Sequence, residues 1–318
     1  MLFVELFAGL LLLVLGGDLL VRGSVGLAER LNVSPLLIGL VLVGFGTSTP
    51  ELLTSVLAAL DGSPGIAIGN VVGSNIANIL LILGTAAIIH PLRANPEALR
   101  RDGSVVALAA MVALGLALAG TIDRLSGMAM LLGLAGYIGY TYRAERGKST
   151  PSAEMHRAEA HAVVAQPHPS KAWLLGLMAA GGLAITMLGA HWLVSASIEL
   201  ATRFGVSDTI IGLTIVAVGT SLPELVTSVV AALRKQADIA FGNILGSNIY
   251  NVLGILGVTA VIQPIDVPQQ IVQLDIWVMI GATALLLVFA RSGHRICRLE
   301  GFALLGLYGA YMAVLALA

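Results

Sequence analysis

The chain has 318 residues, of which 57% are hydrophobic and only 11% are charged, and its formal net charge is −1. A water-soluble domain carries roughly 25% charged residues, so this composition excludes a soluble globular protein and predicts one that lies largely within a bilayer. The single cysteine, Cys297, excludes an internal disulfide and a cysteine-based metal cluster.

Ten apolar stretches follow one another along the chain, and each is close to the about 20 residues that a helix needs to cross a bilayer. Charged residues or turn signals separate most of them. The first stretch lacks a basic leader and a small-residue cleavage site, so we expect a retained span and not a signal peptide. The predicted spans cover residues 2–27, 36–60, 64–89, 104–120, 124–142, 172–200, 209–233, 237–262, 271–290 and 296–317.

The second and third spans carry two polar motifs. The first motif reads GTSTPE and ends at Glu51, and the second reads GNVVGSNI and begins at Gly69. An ionisable residue is costly inside an apolar span and is therefore expected to have a function there. Glu51 is therefore the first candidate functional residue.

Both motifs return after a polar, proline-containing stretch over residues 143–171. GTSLPE ends at Glu224 and GNILGSNI begins at Gly242, each 173 positions after its first copy. Without a gap, residues 28–60 and 201–233 are identical at 20 of 33 positions. The sequence therefore predicts an internal duplication, with a first repeat over 1–142, a cytoplasmic linker over 143–171 and a second repeat over 172–318.

Lysine and arginine favour cytoplasmic loops, and their distribution here is uneven. We number the loops between successive predicted spans from the N-terminus, so that odd-numbered and even-numbered loops lie on opposite sides of the membrane. Of the 17 lysines and arginines, fourteen fall in or beside odd-numbered loops, two in even-numbered loops and one within the first span. We therefore expect an inner-membrane protein with both termini on the outer side. Five spans per repeat also place the second repeat upside down, as in many secondary transporters. The predicted fold is all-α, with ten transmembrane helices arranged as two inverted five-helix repeats.

Oxygen-bearing side chains surround the proline of each acidic motif. Pro50 and Pro223 each disturb the carbonyl four residues back, and a bound cation is one partner for a carbonyl freed within a bilayer. Oxygen-only ligation favours Ca²⁺, Mg²⁺ or alkali ions over zinc or copper, and two carboxylates balance one Ca²⁺. The candidate side chains at helical spacing are Thr47, Ser48, Glu51, Ser74 and Asn78, and Thr220, Ser221, Glu224, Ser247 and Asn251.

The paired GTSxPE and GNxxGSN motifs resemble the two alpha repeats of the sodium/calcium exchanger branch of the cation/Ca²⁺ exchanger superfamily. The resemblance spans all ten predicted helices and implies an antiparallel bundle that binds cations at its centre. It implies the ten side chains above as ligands, and it adds the backbone carbonyls of Gly44 and Ala217. Potassium-dependent relatives have an acid where this chain has Asn251, so the neutral side chain argues against potassium co-transport.

The resemblance implies a secondary antiporter that exports Ca²⁺ in exchange for Na⁺, electrogenic at the family's usual three Na⁺ per Ca²⁺. A Ca²⁺/H⁺ antiporter on the same scaffold and a passive cation channel are the alternatives. No Ser/His or paired-Asp catalytic arrangement and no nucleotide-binding loop appears in the sequence. We therefore expect no enzyme activity, no cofactor and no nucleotide or nucleic-acid partner, and no obligatory protein partner is evident.

Some of these residues also have structural interpretations. Small residues permit close helix packing, so Gly73 and Gly246 are expected to pack helices whether or not their neighbours bind ions. Asn70 and Asn243 are interpreted as shaping their helices and not as ligands.

Overall fold

The computed structural model describes residues 2–31, 33, 44–94, 96–146, 171–235 and 237–317. Within these residues the chain is helical apart from turns and four two-residue strands. The prediction of an all-helical chain is confirmed. The beginning of the predicted second span and nearly all of the predicted linker lie outside the described residues.

The first half of the chain contributes seven helices and two strands to the described structure. A π-helical turn over Asn78–Leu83 continues α4 into α5, so the two form one long helix. The bounds are α1 Leu2–Arg30, α2 Gly44–Thr47, α3 Thr49–Leu60, α4 Pro64–Ala77, α5 Gly84–Ile89, β1 Leu92–Arg93, α6 Pro96–Ala119, β2 Thr121–Ile122 and α7 Arg124–Glu145.

The second half contributes eight helices and two strands. Three π-helical turns, Gly212–Val216, Tyr250–Leu256 and Ile271–Asp275, join α9 to α10, join α12 to α13 and precede α14. The bounds are α8 Ala172–Phe204, α9 Asp208–Ile211, α10 Ala217–Thr220, α11 Leu222–Leu233, α12 Ala237–Ile249, α13 Gly257–Ile262, β3 Ile265–Asp266, α14 Ile276–Arg291, β4 Arg295–Ile296 and α15 Arg298–Leu317.

Seven helices of the described chain are long and apolar enough to cross a membrane. The bent pair Asp208–Thr220 and Leu222–Leu233 makes eight if it is counted as one span. All of these coincide with predicted spans. The predicted fifth span coincides with α7, which is not among the seven because its many glycines and tyrosines lower its hydropathy. The predicted second span is described only from residue 44 onward.

The third and eighth predicted spans form the centre of the bundle. The helix Pro64–Ile89 has 78% of its most apolar window buried, and Ile239–Ile262 has 83%. The corresponding values for α1 and α8 are 28% and 22%, so these two helices lie at the periphery and turn large apolar side chains such as Phe7 outward. The GNxxGSN motif of each repeat is therefore placed on the most buried helices.

The peripheral helices α1 and α8 pack tightly and antiparallel along their length. Their glycines face one another's backbone: a Cβ built on Gly16 would lie 2.5 Å from the Thr186 nitrogen, and one on Gly182 would lie 2.4 Å from the Leu20 nitrogen. Small residues are the usual means of such close approach in membranes. At these glycines the two helices touch through their backbones.

Two antiparallel strand pairs join the halves of the chain. Leu92 of β1 is opposite Ile296 of β4, and Ile122 of β2 is opposite Ile265 of β3. All four side chains are buried. The repeat offset of 173 carries residue 92 to 265 and residue 122 to 295, so each pair joins non-equivalent segments of the two repeats.

Candidate cation-binding site

Each acidic motif breaks its helix at a serine. Ser48 separates α2 from α3 with φ −89° and ψ 7°, and Ser221 separates α10 from α11 with φ −82° and ψ 10°. Pro50 and Pro223 occupy the second position of the helix that follows, where a missing N–H costs little. The second break bends the chain by 47°. The prolines therefore place each glutamate in the first turn of a new helix, deep in the protein.

The two glutamates are held by crossed hydrogen bonds between the repeats. The Ser48 hydroxyl donates to Glu224 Oε1 at 3.2 Å, and the Ser221 hydroxyl donates to Glu51 Oε1 at 2.9 Å. All four residues are at most 2% exposed. The serine of one motif thus orients the carboxylate of the other motif, so the two motifs form one site.

Asn70 connects this centre to the third span. Its amide donates to the Glu51 carbonyl at 3.1 Å and to the Ser55 hydroxyl at 2.9 Å, and its Oδ1 accepts from the Thr220 hydroxyl at 3.0 Å. The equivalent Asn243 donates to the Ser228 hydroxyl at 3.1 Å. Asn70 therefore fixes backbone and side chains on both sides of the site, and this contact supports the interpretation that it shapes the helices.

Gly73 brings the third span against the broken seventh span. A Cβ at this position would lie 2.6 Å from the Leu213 carbonyl oxygen and 2.7 Å from the Ala217 Cβ. The close approach lets the Ser74 hydroxyl reach the Ala217 carbonyl at 3.4 Å, and the Thr220 hydroxyl lies 3.3 Å from the same oxygen. The predicted packing role of Gly73 is present, and it places the Ala217 carbonyl, which also accepts from the Ser221 backbone N–H at 3.1 Å, among hydroxyls.

Several buried polar atoms of the site, four oxygens and two amide nitrogens, have no hydrogen-bond partner within the described residues. They are Glu51 Oε2 and Glu224 Oε2, together with both amide atoms of Asn78 and of Asn251. All four residues are 1% exposed. An unsatisfied buried polar group costs free energy, and an ionised carboxylate costs much more. A cation that accepts these oxygens as ligands removes that cost, so the donor set fits an oxygen-bound metal ion.

The charge of the site is not balanced by protein. No lysine, arginine or histidine pairs with Glu51 or Glu224 in the part of the chain that the structure describes. The same part of the chain contains no cluster of three or more His, Cys, Asp or Glu that could hold a metal. Within the described residues, the site is therefore a pair of carboxylates among neutral polar groups.

The remaining predicted ligands are less directly placed. Thr47 is partly exposed and lies within hydrogen-bonding range of Glu224. Ser247 is 2% exposed and lies one helical turn before Asn251. The described contacts do not join Asn78, Ser247, Asn251 or the Gly44 carbonyl to the carboxylates, so their role as ligands stays a prediction.

The sequence reasoning missed Ser55 and Ser228 as supports of the site. Each lies four residues after its glutamate, one helical turn on, and each is fully buried and bonded to the asparagine of the following span. Their recurrence at the same spacing in both repeats was the available signal. The partners across the helices could not be read from spacing within one repeat.

Comparison with known protein families identifies one family over nearly the whole chain. Residues 1–143 and 174–317 match the family described as sodium/calcium exchanger protein. The putative antiporter CaxA of Alkalimonas amylolytica is 36% identical over 315 residues, covering 98% of each chain. The sodium/calcium exchanger MaX1 of Methanosarcina acetivorans is 34% identical over 344 residues, again with 98% of each chain covered.

Solved structures agree with the sequence relatives. The sodium-calcium exchanger NCX_Mj, soaked with 10 mM Na⁺ and 10 mM Sr²⁺, superposes with a TM-score of 0.66 at 31% identity, over 98% of this chain and 97% of that one. The resemblance drawn from the motifs is thus confirmed over the full length. The chain belongs to the sodium/calcium exchanger family of multi-pass membrane proteins, which are secondary transporters of cations and not enzymes.

Proposed function

We propose that this protein is a secondary antiporter that exports Ca²⁺ in exchange for Na⁺. The observation that carries the proposal is the crossed pair of buried glutamates, each held by a serine of the other repeat and each with one unpartnered oxygen. Two carboxylates match the charge of one Ca²⁺, while the surrounding neutral oxygens divide equally well among several Na⁺. Neutral oxygens in this number favour Na⁺ over H⁺ as the coupling ion, because protons need only the carboxylates.

The proposed ligands come equally from both repeats. Glu51 and Glu224 carry the charge, and hydroxyl, amide and backbone carbonyl oxygens complete the coordination of the transported ions. No cofactor takes part. The ligand set is Gly44, Thr47, Ser48, Glu51, Ser74, Asn78, Ala217, Thr220, Ser221, Glu224, Ser247 and Asn251, with Gly44 and Ala217 contributing carbonyls.

Competition for shared oxygens couples the two ions. Ca²⁺ and Na⁺ cannot occupy the same carboxylates together, so one must leave before the other binds. Moving the empty site across the membrane barrier would bury two uncompensated charges, which is strongly unfavourable. The loaded site does not have this cost. The protein can therefore change the side of the membrane to which the site opens while either Ca²⁺ or Na⁺ is bound.

The proposed architecture is ten membrane helices in two inverted repeats, over 1–142 and 172–318, with a cytoplasmic linker between them. The strand pairs support inversion. Strands β1 and β2 lie at opposite ends of α6, whose 24 residues span about 36 Å. Because β3, the equivalent of β1, pairs with β2, equivalent segments of the two repeats lie at opposite ends of the bundle. The arginine and lysine distribution then favours an orientation with both termini on the outer side.

The proposal is tested by ⁴⁵Ca²⁺ uptake into proteoliposomes loaded with Na⁺, with K⁺ or with an acid interior, at clamped membrane potential. We expect uptake to require internal Na⁺ and to be lost in Glu51→Gln and in Glu224→Gln. Glu199→Gln is the matched control, because Glu199 lies on the peripheral α8 and pairs with Arg203. Its uptake should equal that of the wild type.

The other outcomes are equally informative. Uptake driven by the proton gradient without Na⁺ would replace the proposal by Ca²⁺/H⁺ exchange on the same scaffold. Ca²⁺ flux that ignores both gradients would identify a passive channel. Retained Na⁺-driven uptake in both glutamine variants would leave exchange in place and remove the assignment of its ligands.

A further inference from the structure

A second pair of repeated acids lies outside the cation cluster. Asp102 and Asp275 are 173 positions apart, the same offset that relates Glu51 to Glu224. Each accepts a hydrogen bond from a tyrosine of a later helix. Tyr137 donates to Asp102 Oδ1 at 3.1 Å, and Tyr311 donates to Asp275 Oδ1 at 2.9 Å.

The first of these acids is neutralised by a cation. Arg101 donates to both carboxylate oxygens of Asp102, at 2.6 and 2.9 Å, and it also pairs with Glu145. This network lies in α6 and at the end of α7. Glu145, which the sequence placed in the polar linker, is in fact 1% exposed on α7 because it pairs with this arginine. The charge of Asp102 is therefore shared among ionised partners.

The second acid has no such partner. The position equivalent to Arg101 is Leu274, and no lysine, arginine or histidine pairs with Asp275 within the described residues. Asp275 is 0% exposed, and its Oδ2 has no hydrogen-bond partner among the described residues. An isolated buried carboxylate is so costly that the group takes up a cation or a proton instead.

The elements packed around Asp275 offer no compensating charge. Its π-helical turn packs on α6 and on α4. The charged residues of α6 are Glu97, Arg100, Arg101 and Asp102. Arg101 is engaged by two acids, Arg100 is exposed and forms no described ion pair with Asp275, and α4 carries no charged residue. The last helix, α15, offers Tyr311 and, one turn earlier, Tyr308, while its charged residues lie in its first turn.

The oxygens near Asp275 suit a proton better than a metal ion. The Tyr311 hydroxyl already donates to Oδ1, so its proton points at the carboxylate. Gln273, two residues before Asp275, is exposed. Gln270, five residues before it, faces the carboxylate with its amide group, which can only donate, while its oxygen already accepts a hydrogen bond from Ser207 at 3.2 Å. One free carboxylate oxygen remains at Oδ2, which is enough for a covalent O–H bond but not for a coordination shell.

We propose that Asp275 is a proton-binding site, separate from the cation cluster, in which a neutral carboxylic acid is held by Tyr311 between the last two membrane helices. The two repeats thus satisfy equivalent buried acids in different ways. The first repeat uses an arginine, and the second repeat uses a proton. The inference does not depend on which ions are exchanged.

The test is an infrared difference spectrum of the purified protein between neutral and strongly alkaline pH, in saturating Na⁺. We expect a carbonyl band of a protonated carboxylic acid at neutral pH that is lost in alkali and missing in Asp275→Asn. Asp102→Asn is the control and should keep the band. Labelling the wild type with ¹³C-aspartate should shift the band, which separates it from glutamate without any variant.

A second readout is the thermal unfolding midpoint as a function of pH. A group that holds its proton when folded and releases it when unfolded makes stability fall as the pH rises. The wild type should therefore lose more stability toward alkaline pH than Asp275→Asn, whose amide copies the neutral acid. A ¹³C-insensitive band, a band kept in Asp275→Asn, or an asparagine variant that does not fold would each overturn the proposal.

Discussion

At the scale of residues, the central carboxylates are governed by hydroxyls from the opposite repeat. The sequence predicted a set of oxygen-bearing side chains at helical spacing from each glutamate, because spacing along one helix determines which residues share its face. It could not predict that Ser48 would bond Glu224 and that Ser221 would bond Glu51. Those contacts depend on how two helices that are distant in sequence pack together, and the spacing of residues within one helix does not determine that packing.

Asn70 should matter more for ion binding than its neutral side chain suggests. In Asn70→Ala the Glu51 carbonyl and the Thr220 hydroxyl lose a partner, and we expect Ca²⁺ affinity to fall about tenfold, from a loss of about 1.4 kcal/mol. Asn75→Ala is the control, because its amide group donates to the Val71 carbonyl one turn back in its own helix. Isothermal titration or Ca²⁺-dependent transport measures the difference, and equal effects of both variants would contradict the prediction.

Adding a third acid at Asn251 should change the charge requirement of the site. The side chain is buried, and both of its amide atoms are unpartnered within the described residues. A carboxylate there needs another positive charge, so Asn251→Asp should lose Ca²⁺ uptake in Na⁺ alone and regain part of it when K⁺ is added beside Ca²⁺. Asn248→Asp, one turn earlier, provides the control. Uptake of Asn251→Asp that ignores K⁺ would refute this expectation.

At the scale of elements, the sequence predicted where helices are interrupted, but for most glycines it did not predict whether they contact a neighbouring helix. Pro50 and Pro223 predicted the interruptions, since proline cannot continue the hydrogen-bond ladder. Gly16 packs on α8, yet a Cβ on Gly133 or Gly136 of α7 would meet nothing within 4 Å among the described residues. A small residue permits close packing without requiring it, so the pattern alone overpredicts contacts.

The contact between α1 and α8 should be sensitive to a single methyl group. In Gly182→Ala the new Cβ would lie 2.4 Å from the Leu20 nitrogen, so the helices must separate. We expect a loss of about 1–3 kcal/mol of stability and slower exchange. Gly181→Ala is the matched control, since a Cβ there meets no described residue within 4 Å. A thermal melt and an uptake assay distinguish the two, and indistinguishable variants would count against the packing argument.

At the scale of the whole molecule, the lengths of the apolar stretches predicted the order of the helices along the chain. The pairing of distant strands was seen only in the structure. The apolar stretches correspond to helices because a bilayer forces every backbone group to be satisfied within its own segment. The strand pairs β1–β4 and β2–β3 were invisible, because two-residue strands leave no periodic pattern. The end of α7 was misplaced, because Glu145 resembles a solvated residue until Arg101 is placed beside it.

The proposed orientation can be checked with the natural cysteine. Cys297 is partly exposed beside β4, in a loop expected on the cytoplasmic side. A membrane-impermeant thiol reagent should label it in inside-out vesicles and leave it unlabelled in right-side-out vesicles. In Cys297→Ser carrying Gln263→Cys, the labelling should reverse, because residue 263 lies at the opposite end of the bundle. The converse pattern would invert the topology.

The proposed stoichiometry has an electrical signature. When Ca²⁺ enters a vesicle against three Na⁺, one positive charge leaves per cycle, and an inside-positive potential should accelerate uptake. The driving force is about 2.3 kcal/mol per 100 mV for one charge. Potassium gradients with valinomycin set the potential. Uptake that does not respond to it would favour an electroneutral exchange, such as one Ca²⁺ for two protons.

The crossed serine–glutamate bonds also bear on how such a protein could arise. In the structure, the serine and the glutamate of one repeat each bond a partner from the other repeat. A half-length ancestor could therefore have assembled this site only as a pair of chains. Gene duplication and fusion would then have made permanent an encounter that had depended on two separate molecules finding each other in the membrane.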